Sequence, residues 1–445
     1  MADTSNTTLL NGVRFKYKYK VSNEIGEFEF NDSAVLSLLI NDNIFSPFAN
    51  GYITLTNPYN GIEGKFILRG DGTDKIEIML QPEADEGKKL EFTFTIVREE
   101  NLIDDSTQAK NRKTYFFEHQ DEVLLREVFP YGRRYRGKVG DIIKTILQDE
   151  FKFDIDTGNW ESGDFIIDSL PTHIIPSMSY RYLDIIYYLL HHYYYLDDGL
   201  PVKAFLRWSP STKKYSLTPL SRTFASNDKN VYETFHSGEL VTDQKSNPNN
   251  PTAGGEFKTY INNIVSINAT VPGTSVTNAY FMNSLITSYD HILGSFNTAK
   301  VQIKALREKW TEKFISVFKL VGGTPKPYAN LTDIKVASEF KLYRLPFSYR
   351  DSVNIATADT ITNLTLFNQQ LNFNVIGDTG RSSGVFTDIV KAKDDSSKGD
   401  QILLGRWYIT IVRHMKLLNT YRNEIFCSKP YAGPDFKVVE SKRTE

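Results

Sequence analysis

Strict alternation of apolar and polar side chains opens the ordered part of the chain. Arg14-Phe15-Lys16-Tyr17-Lys18-Tyr19-Lys20-Val21 and Glu27-Phe28-Glu29-Phe30 each repeat with period two, the pattern of antiparallel strands with one face buried and one in water. Short β-like runs follow at Gly51 to Thr56, Gly64 to Leu68, Asp74 to Leu80 and Leu90 to Val97. Asn57-Pro58, Gly70-Asp71-Gly72 and the acidic stretch from Pro82 to Gly87 separate them. Turn residues at such intervals predict a meander. Residues 12–117 are therefore expected to form a small antiparallel barrel or sandwich, preceded by a flexible polar arm at residues 1–11.

The period then changes. After Phe129-Pro130-Tyr131-Gly132, Val139, Ile142, Ile143, Ile146 and Leu147 recur at helical spacing, so residues 118–220 are expected to form an α/β domain. Its densest part runs from Ser179 to Leu220. Ser179 is the expected helix cap, Leu183, Ile186, Tyr187, Leu190 and Tyr194 the expected apolar face, and Asp197-Asp198-Gly199 the stop. Val202 to Trp208 and Tyr215 to Leu220 read as a hairpin across the turn-rich residues 209–214. Rich in Tyr and poor in activated nucleophiles, this unit points to packing and association.

Polar and turn residues dominate from Ser226 to Gly255, where Asn247-Pro248-Asn249-Asn250-Pro251 and Gly254-Gly255 mark a flexible connection. β patterning resumes at Tyr260 to Val271, then at Lys341 to Tyr349, Thr360 to Val375, Gly384 to Ile389, Gly405 to Lys416 and Glu424 to Ser428. Between these runs Ile303, Leu306, Trp310, Phe314 and Val317 form a stripe opposite Lys304, Arg307, Lys309 and Lys313, which predicts one long amphipathic helix. Its basic face is ordinarily solvated surface. The expected organisation is a second β domain at 221–275 and 340–430, split by a helical insertion at 276–339 and followed by a tail at 431–445.

Composition narrows the function classes. A chain of 445 residues is long enough for two to four domains, and its 29 Phe, 25 Tyr and 4 Trp favour strands over disorder. Lys plus Arg total 52 against 54 acidic residues, a balance with no global field to hold nucleic acid or an anionic membrane. One cysteine, Cys427, excludes an intramolecular disulfide framework, a Cys-rich zinc site and an iron–sulfur cluster. No signal-like start and no apolar run of about 18 residues is present, so the product is expected in a cytoplasm until assembled, without membrane insertion.

Candidate chemistry fails on inspection. Gly132-Arg133-Arg134-Tyr135-Arg136-Gly137-Lys138 has the spacing of a phosphate loop before a helix, but Val139 stands where magnesium needs a hydroxyl, and three arginines crowd a loop whose amides would cradle phosphate. A basic loop at a protein interface is the better reading. Asp378-Thr379-Gly380 resembles the aspartic-protease triplet but has no second copy to share a proton, and Gly377, Asp378, Gly380 and Gly384 read as a turn. His191 and His192 are adjacent and project about 100° apart on a helix, which no single metal can bridge. No catalytic, cofactor or metal residue is expected. Arg133, Arg134, Tyr135, Arg136, Tyr187, Tyr194 and Trp310 are the candidate interface residues.

The order of these pieces resembles the central baseplate hub proteins of contractile-tailed bacteriophages, the T-even type, which are distantly similar to the hub half of type VI secretion spike proteins. The residues that carry the resemblance are Phe129 to Arg134 with the helix Val139 to Phe151, the aromatic helix Tyr180 to Leu196 with its hairpin, the turn Asn374 to Gly380, and the late strands Leu404 to His414 and Tyr421 to Ser428. The resemblance implies a β-rich α+β chain with two tube-like antiparallel β-barrel domains, an α/β domain between them and a helical insertion in the second barrel. It further implies a homotrimer whose six modules meet the hexameric tail tube on one face. The other face would hold the trimeric spike or needle, with baseplate wedge or peripheral proteins around it and a central channel that DNA only passes through. Location in the virion tail baseplate, after assembly in the host cytoplasm, and a structural rather than enzymatic role follow from the same resemblance. Carbohydrate binding or glycan degradation by a tail protein is the alternative; it would be marked by a β-helix repeat, which the sequence lacks. A peptidase or nucleotide-driven protein would need Asp378 or Lys138 to act.

Overall fold

The computed structural model describes residues 7–10, 13–56, 66–82, 89–102, 112–130, 132–171, 180–226, 231–236, 259–269, 284–290, 295–301, 339–343, 354–355, 357–359, 362, 369–391, 405–418 and 420–429. Eight strands build the first module: β1 (Thr7–Leu10), β2 (Val13–Asn23), β3 (Gly26–Phe30), β4 (Val35–Asn43), β5 (Asn50–Thr56), β6 (Lys75–Pro82), β7 (Leu90–Leu102) and β8 (Arg112–His119). Alternation in β2 works as the sequence requires. Phe15, Tyr17, Tyr19 and Val21 turn inward onto Ile76, Ile78 and Leu80 of β6 and Phe92 and Phe94 of β7, forming one buried cluster. Residues 66–68 are not strand, which corrects the expected run at Gly64 to Leu68 for its described part.

The α/β domain follows, with α1 (Gln120–Glu127), β9 (Arg134–Lys138), α2 (Val139–Lys144) continued by a π-helical turn at Thr145–Glu150, β10 (Ile155–Trp160), β11 (Ile166–Pro171), α3 (Tyr182–His192), β12 (Tyr195–Asp197), β13 (Leu200–Val202), β14 (Ala204–Ser209), β15 (Lys214–Pro219) and α4 (Leu220–Ser226). Ile142, Ile143, Ile146 and Leu147 meet Ile185, Ile186 and Leu189 in its core. Helix α3 differs from expectation at both ends. Arg181 precedes it, with its N–H donating to Asp184 Oδ2 at 3.0 Å, while Ser179 lies outside the described residues. The helix stops at His192, and Asp198 and Gly199, at φ +50° and +78°, make the two-residue turn between β12 and β13. Its buried face runs through Tyr182, Leu183, Ile185, Ile186, Leu189 and His192, so Leu183 and Ile186 of the expected stripe are buried while Tyr187 and Leu190 lie at its margin. A helix this apolar offers two overlapping stripes at spacing three and four, and packing on α2 selects one of them.

Later strands are β16 (Val231–His236), β17 (Thr259–Ala269), β18 (Ser284–Asp290), β19 (Ser295–Val301), β20 (Glu339–Tyr343), β21 (Gln369–Ile376), β22 (Phe386–Lys391), β23 (Gly405–Leu417) and β24 (Thr420–Lys429). β18, β19 and β20 form their own three-stranded sheet, so the described part of the 276–339 insertion is strand rather than helix. Ile286, Thr287 and Tyr289 are strand formers, and the helical stripe from Ile303 to Val317 lies outside the described residues. The strand expected from Thr360 begins only at Gln369 among the described residues.

Taken in chain order, β2, β4, β5, β6, β7 and β8 of the first module and β16, β17, β21, β22, β23 and β24 of the second have the same hydrogen-bonded order. That order is first, fourth, fifth, sixth, third, second. One difference lies in the first strand: β2 is antiparallel to β6, whereas β16 is parallel to β22. In the second module β16 also meets β17, so the pairing returns to its start; in the first, β2 and β4 are not paired among the described residues. The molecule is thus β-rich, its modules share one large, mainly antiparallel sheet, and the α/β domain separates them in sequence.

Candidate interaction surfaces

The Arg-rich segment is a strand. β9 pairs antiparallel with β11, and its side chains alternate, so Arg134, Arg136 and Lys138 stand in solvent while Tyr135 turns into the core. Successive same-face residues lie about 7 Å apart on a strand, which makes a short cationic ridge. Arg133 extends it, 3.3 Å from Glu150 and still well exposed. The Tyr135 hydroxyl donates to Glu150 Oε1 at 2.6 Å, and burial together with that carboxylate holds the phenol well above its ordinary pKa. Of this segment's candidates, the three arginines form surface and Tyr135 anchors them.

The other aromatic candidates divide in the same way. Tyr194 is buried in the α/β core beside Phe165. Tyr187 is 37% exposed. It lines a cleft of about 270 Å³ with Phe45, Leu190, Phe205, Lys203 and Asp359 among its walls. Lys203 is ion-paired to Asp359 at 3.0 Å and donates to the His191 carbonyl, so this buried cation, its pKa lowered by burial, is already held. His192 Nδ1 lies 2.6 Å from the Tyr188 carbonyl, and burial pushes its pKa down to about 4. Its neighbour His191 is exposed, as adjacent helical positions require. Trp310 lies outside the described residues.

Sequence reasoning missed the junction between the modules. β4 pairs antiparallel with β23 from Asn43 opposite Ile411 to Ser37 opposite Leu417, which fuses the two sheets edge to edge. Polar groups lock this seam from both sides. Asp42, inward beside Leu38 and Ile40, accepts from the Ser383 N–H at 2.7 Å and its hydroxyl at 2.8 Å. Lys416 meets Asp32, and Arg413 Nε donates to Asn41 Oδ1 at 3.1 Å. His414 Nδ1 lies 2.7 Å from the Tyr421 hydroxyl, and burial pushes its pKa down to about 4. The signal was the inward alternation Leu38, Ile40, Asp42; a carboxylate at the third position, Leu39 among them and Leu36 before them obscured it.

Asp378 is held by β24 of the second module. Its N–H donates to Asn423 Oδ1 at 2.7 Å, and its Oδ1 accepts from the Gly380 N–H at 2.8 Å, so the Asp-Thr-Gly triplet is a turn. Among the described residues no group of three or more His, Cys, Asp or Glu side chains could hold a metal ion, and no helix is long and apolar enough to cross a membrane.

No family model matches the sequence, and no curated protein matches it. Solved structures do. A tail protein from Neisseria meningitidis MC58 aligns at a TM-score of 0.52 with 10% identity over 93% of this chain and 96% of its own. The 43 kDa tail protein of prophage MuSo2 from Shewanella oneidensis aligns at 0.51 with 9% identity over 93% and 99%. A component of the Escherichia coli type VI secretion system, described as similar to T4 tail proteins, aligns at 0.42 with 12% identity over 90% and 74%, a score too low to establish a common fold. The chain has the fold of these two tail proteins along nearly its whole length.

Proposed function

We propose that this chain, which shares the fold of phage-type tail proteins, is a structural tail component: a trimeric central hub. In this role it joins the hexameric tail tube to the trimeric spike and borders the channel through which DNA leaves. One observation carries the reading. Two modules with the same strand order are joined edge to edge within one chain, so three chains supply six like modules, matching six tube subunits on one side and a threefold spike on the other. The α/β domain is not part of that repeat; it packs on the first module through Trp208 on Phe92 and Tyr215 on Phe48 and is the face offered to the spike, with Arg133, Arg134, Arg136 and Tyr187 as its contact residues. Two tube-like barrels are the form the modules take in the assembled ring. The role is structural, exercised in the virion tail after assembly in the host cytoplasm, and wedge or peripheral proteins bind the outer rim. Light scattering on the purified chain is the test: a mass three times that of one chain supports the reading, and a strict monomer at all concentrations contradicts it.

A further inference from the structure

We propose that the chain closes its ring by repeating between copies the strand pairing that joins its two modules within one copy. β17 of one copy pairs antiparallel with the outer half of β7 of the next. Ala269 then lies opposite Glu99 of the neighbouring copy, Asn268 opposite Glu100, Ile267 opposite Asn101 and Ser266 opposite Leu102. The inference rests on the trimeric reading and names the surface that makes it.

The two modules are internally equivalent at these strands. β7 is to the first module what β23 is to the second: fifth in chain order, 13 residues long, and bulged against the following strand, between Ile96 and Arg98 in one case and Ile409 and Ile411 in the other. Ile96 N–H donates to the Asp74 carbonyl at 2.9 Å, and Ile409 N–H to the Val385 carbonyl at 2.8 Å. Past the bulge Arg98 covers the Phe116 ring at 4.0 Å, and Arg413 covers Phe426 at 4.6 Å. Phe116 and Phe426 hold the same place, opposite Arg98 and Ile411.

Both strands outrun their neighbour on the other side. β22 covers β23 only from Gly405 to Tyr408, and β4 pairs with the remainder. β6 covers β7 only from Leu90 to Thr95, and Val97 to Leu102 have no partner strand on that side among the described residues. The partner due there is the second module's equivalent of β4, which is β17. It is paired on one side to β21, as β4 is to β5, and on the other touches β16 only at Thr259 and Tyr260. Two strand edges thus remain open among the described residues, the outer half of β7 and β17 beyond Tyr260. Val97 and Val265, 39% and 49% exposed, lie on them.

Register follows from the strands between. Ile40 lies opposite Gly51, which lies opposite Phe117, the partner of Ile96. Ile267 lies opposite Leu371, which lies opposite Cys427, the partner of Ile409. Ile267 therefore takes the place of Ile40, and Asn101 the place of His414, the residue paired with Ile40 at the seam. Different patches meet at such a contact, so it is heterologous and can close into a ring. N–H and C=O groups along both edges, which have no strand partner among the described residues, gain hydrogen bonds when it forms.

Residues directly opposite on antiparallel strands have Cα atoms about 4.5–5.5 Å apart, within disulfide range. The test uses the full chain carrying Glu100→Cys and Asn268→Cys together, and a second chain carrying Glu99→Cys and Ala269→Cys, oxidised and run on non-reducing gels. Covalent dimers and trimers from a double variant, absent from each single variant, are expected. Trimers by light scattering with no cross-link from either pair would overturn this pairing and leave the trimeric hub standing. A monomer by light scattering would overturn both.

Discussion

Lys416 Nζ lies 3.0 Å from Asp32 Oδ1 across the seam between the two modules, and the two side chains are only 1% and 5% exposed. Tyr19 donates to the same carboxylate oxygen at 2.9 Å, and Lys416 also donates to the Val35 carbonyl at 3.2 Å. Breaking one half of a buried pair leaves the other charge uncompensated, at a cost of about 3–5 kcal/mol. Asp32→Ala is therefore expected to lower the urea midpoint sharply. The double variant Asp32→Ala, Lys416→Met, which removes both charges, should recover part of the loss; equal midpoints for the single and double variants would contradict this role.

Asp42 makes the second lock. Asp42→Ala strands the buried Ser383 N–H and hydroxyl, each accepted at under 3 Å in the native protein. Loss of a charge-assisted bond costs about 1.5–3 kcal/mol. Hydrogen exchange should accelerate selectively in β4 and β23. Uniform acceleration over the whole chain would mean that the seam opens only with global unfolding.

The Gly377 backbone passes against the Tyr421 ring, and a Cβ there would lie 2.0 Å from Cδ1. That ring is buried and bonded to His414, so it cannot swing away. Gly377→Ala should reduce soluble yield or lower Tm by several degrees, whereas Asp378→Asn, in a turn that an amide oxygen can also serve, should leave assembly nearly unchanged. A native Tm for Gly377→Ala would refute the close approach.

How far the sequence foretold this structure depends on what local pattern encodes. Strict alternation in β2 and the runs at β5, β6, β7, β23 and β24 were readable because one face of each is apolar and the other polar. β4 was missed because its third inward residue is Asp42, whose partner Ser383 is hundreds of residues away. Tyr135 and Tyr194 read as possible contacts, and tertiary packing put both in the core. The exposed arginines of β9 were recognised as surface, but their strand geometry depends on β11, which pairs with them from about 30 residues downstream.

Glu122 gives a pH signature. One of its oxygens is buried without a hydrogen-bond partner among the described residues, and burial, then Glu118, pushes its pKa up to about 7, with Arg126 opposing. A carboxyl whose folded pKa exceeds its unfolded value near 4.3 binds more protons when folded, so its contribution is fully present below about pH 4 and is lost as pH rises through 7. His192 and His414, both pushed down to about 4, act in the opposite direction between pH 4 and 6.5. The comparison must therefore be made against Glu122→Gln. That variant should match the native protein at pH 4 and exceed it in Tm at pH 8; a constant difference at both values would contradict the shift.

Arg134→Glu with Arg136→Glu reverses the ridge on β9 without touching the core. Stability should change by no more than about 0.5 kcal/mol per site, as for ordinary surface positions. Trimer formation should persist while co-purification with the cognate spike falls at least tenfold. Unchanged spike capture would move that contact elsewhere on the α/β domain.

The most direct measurement is cryo-electron microscopy of the purified chain viewed along its symmetry axis. A ring of six similar lobes built from three chains, with the α/β domains on one face, is the predicted image. A particle with one copy of each module and no ring, or with modules that do not superpose strand for strand, would contradict the account.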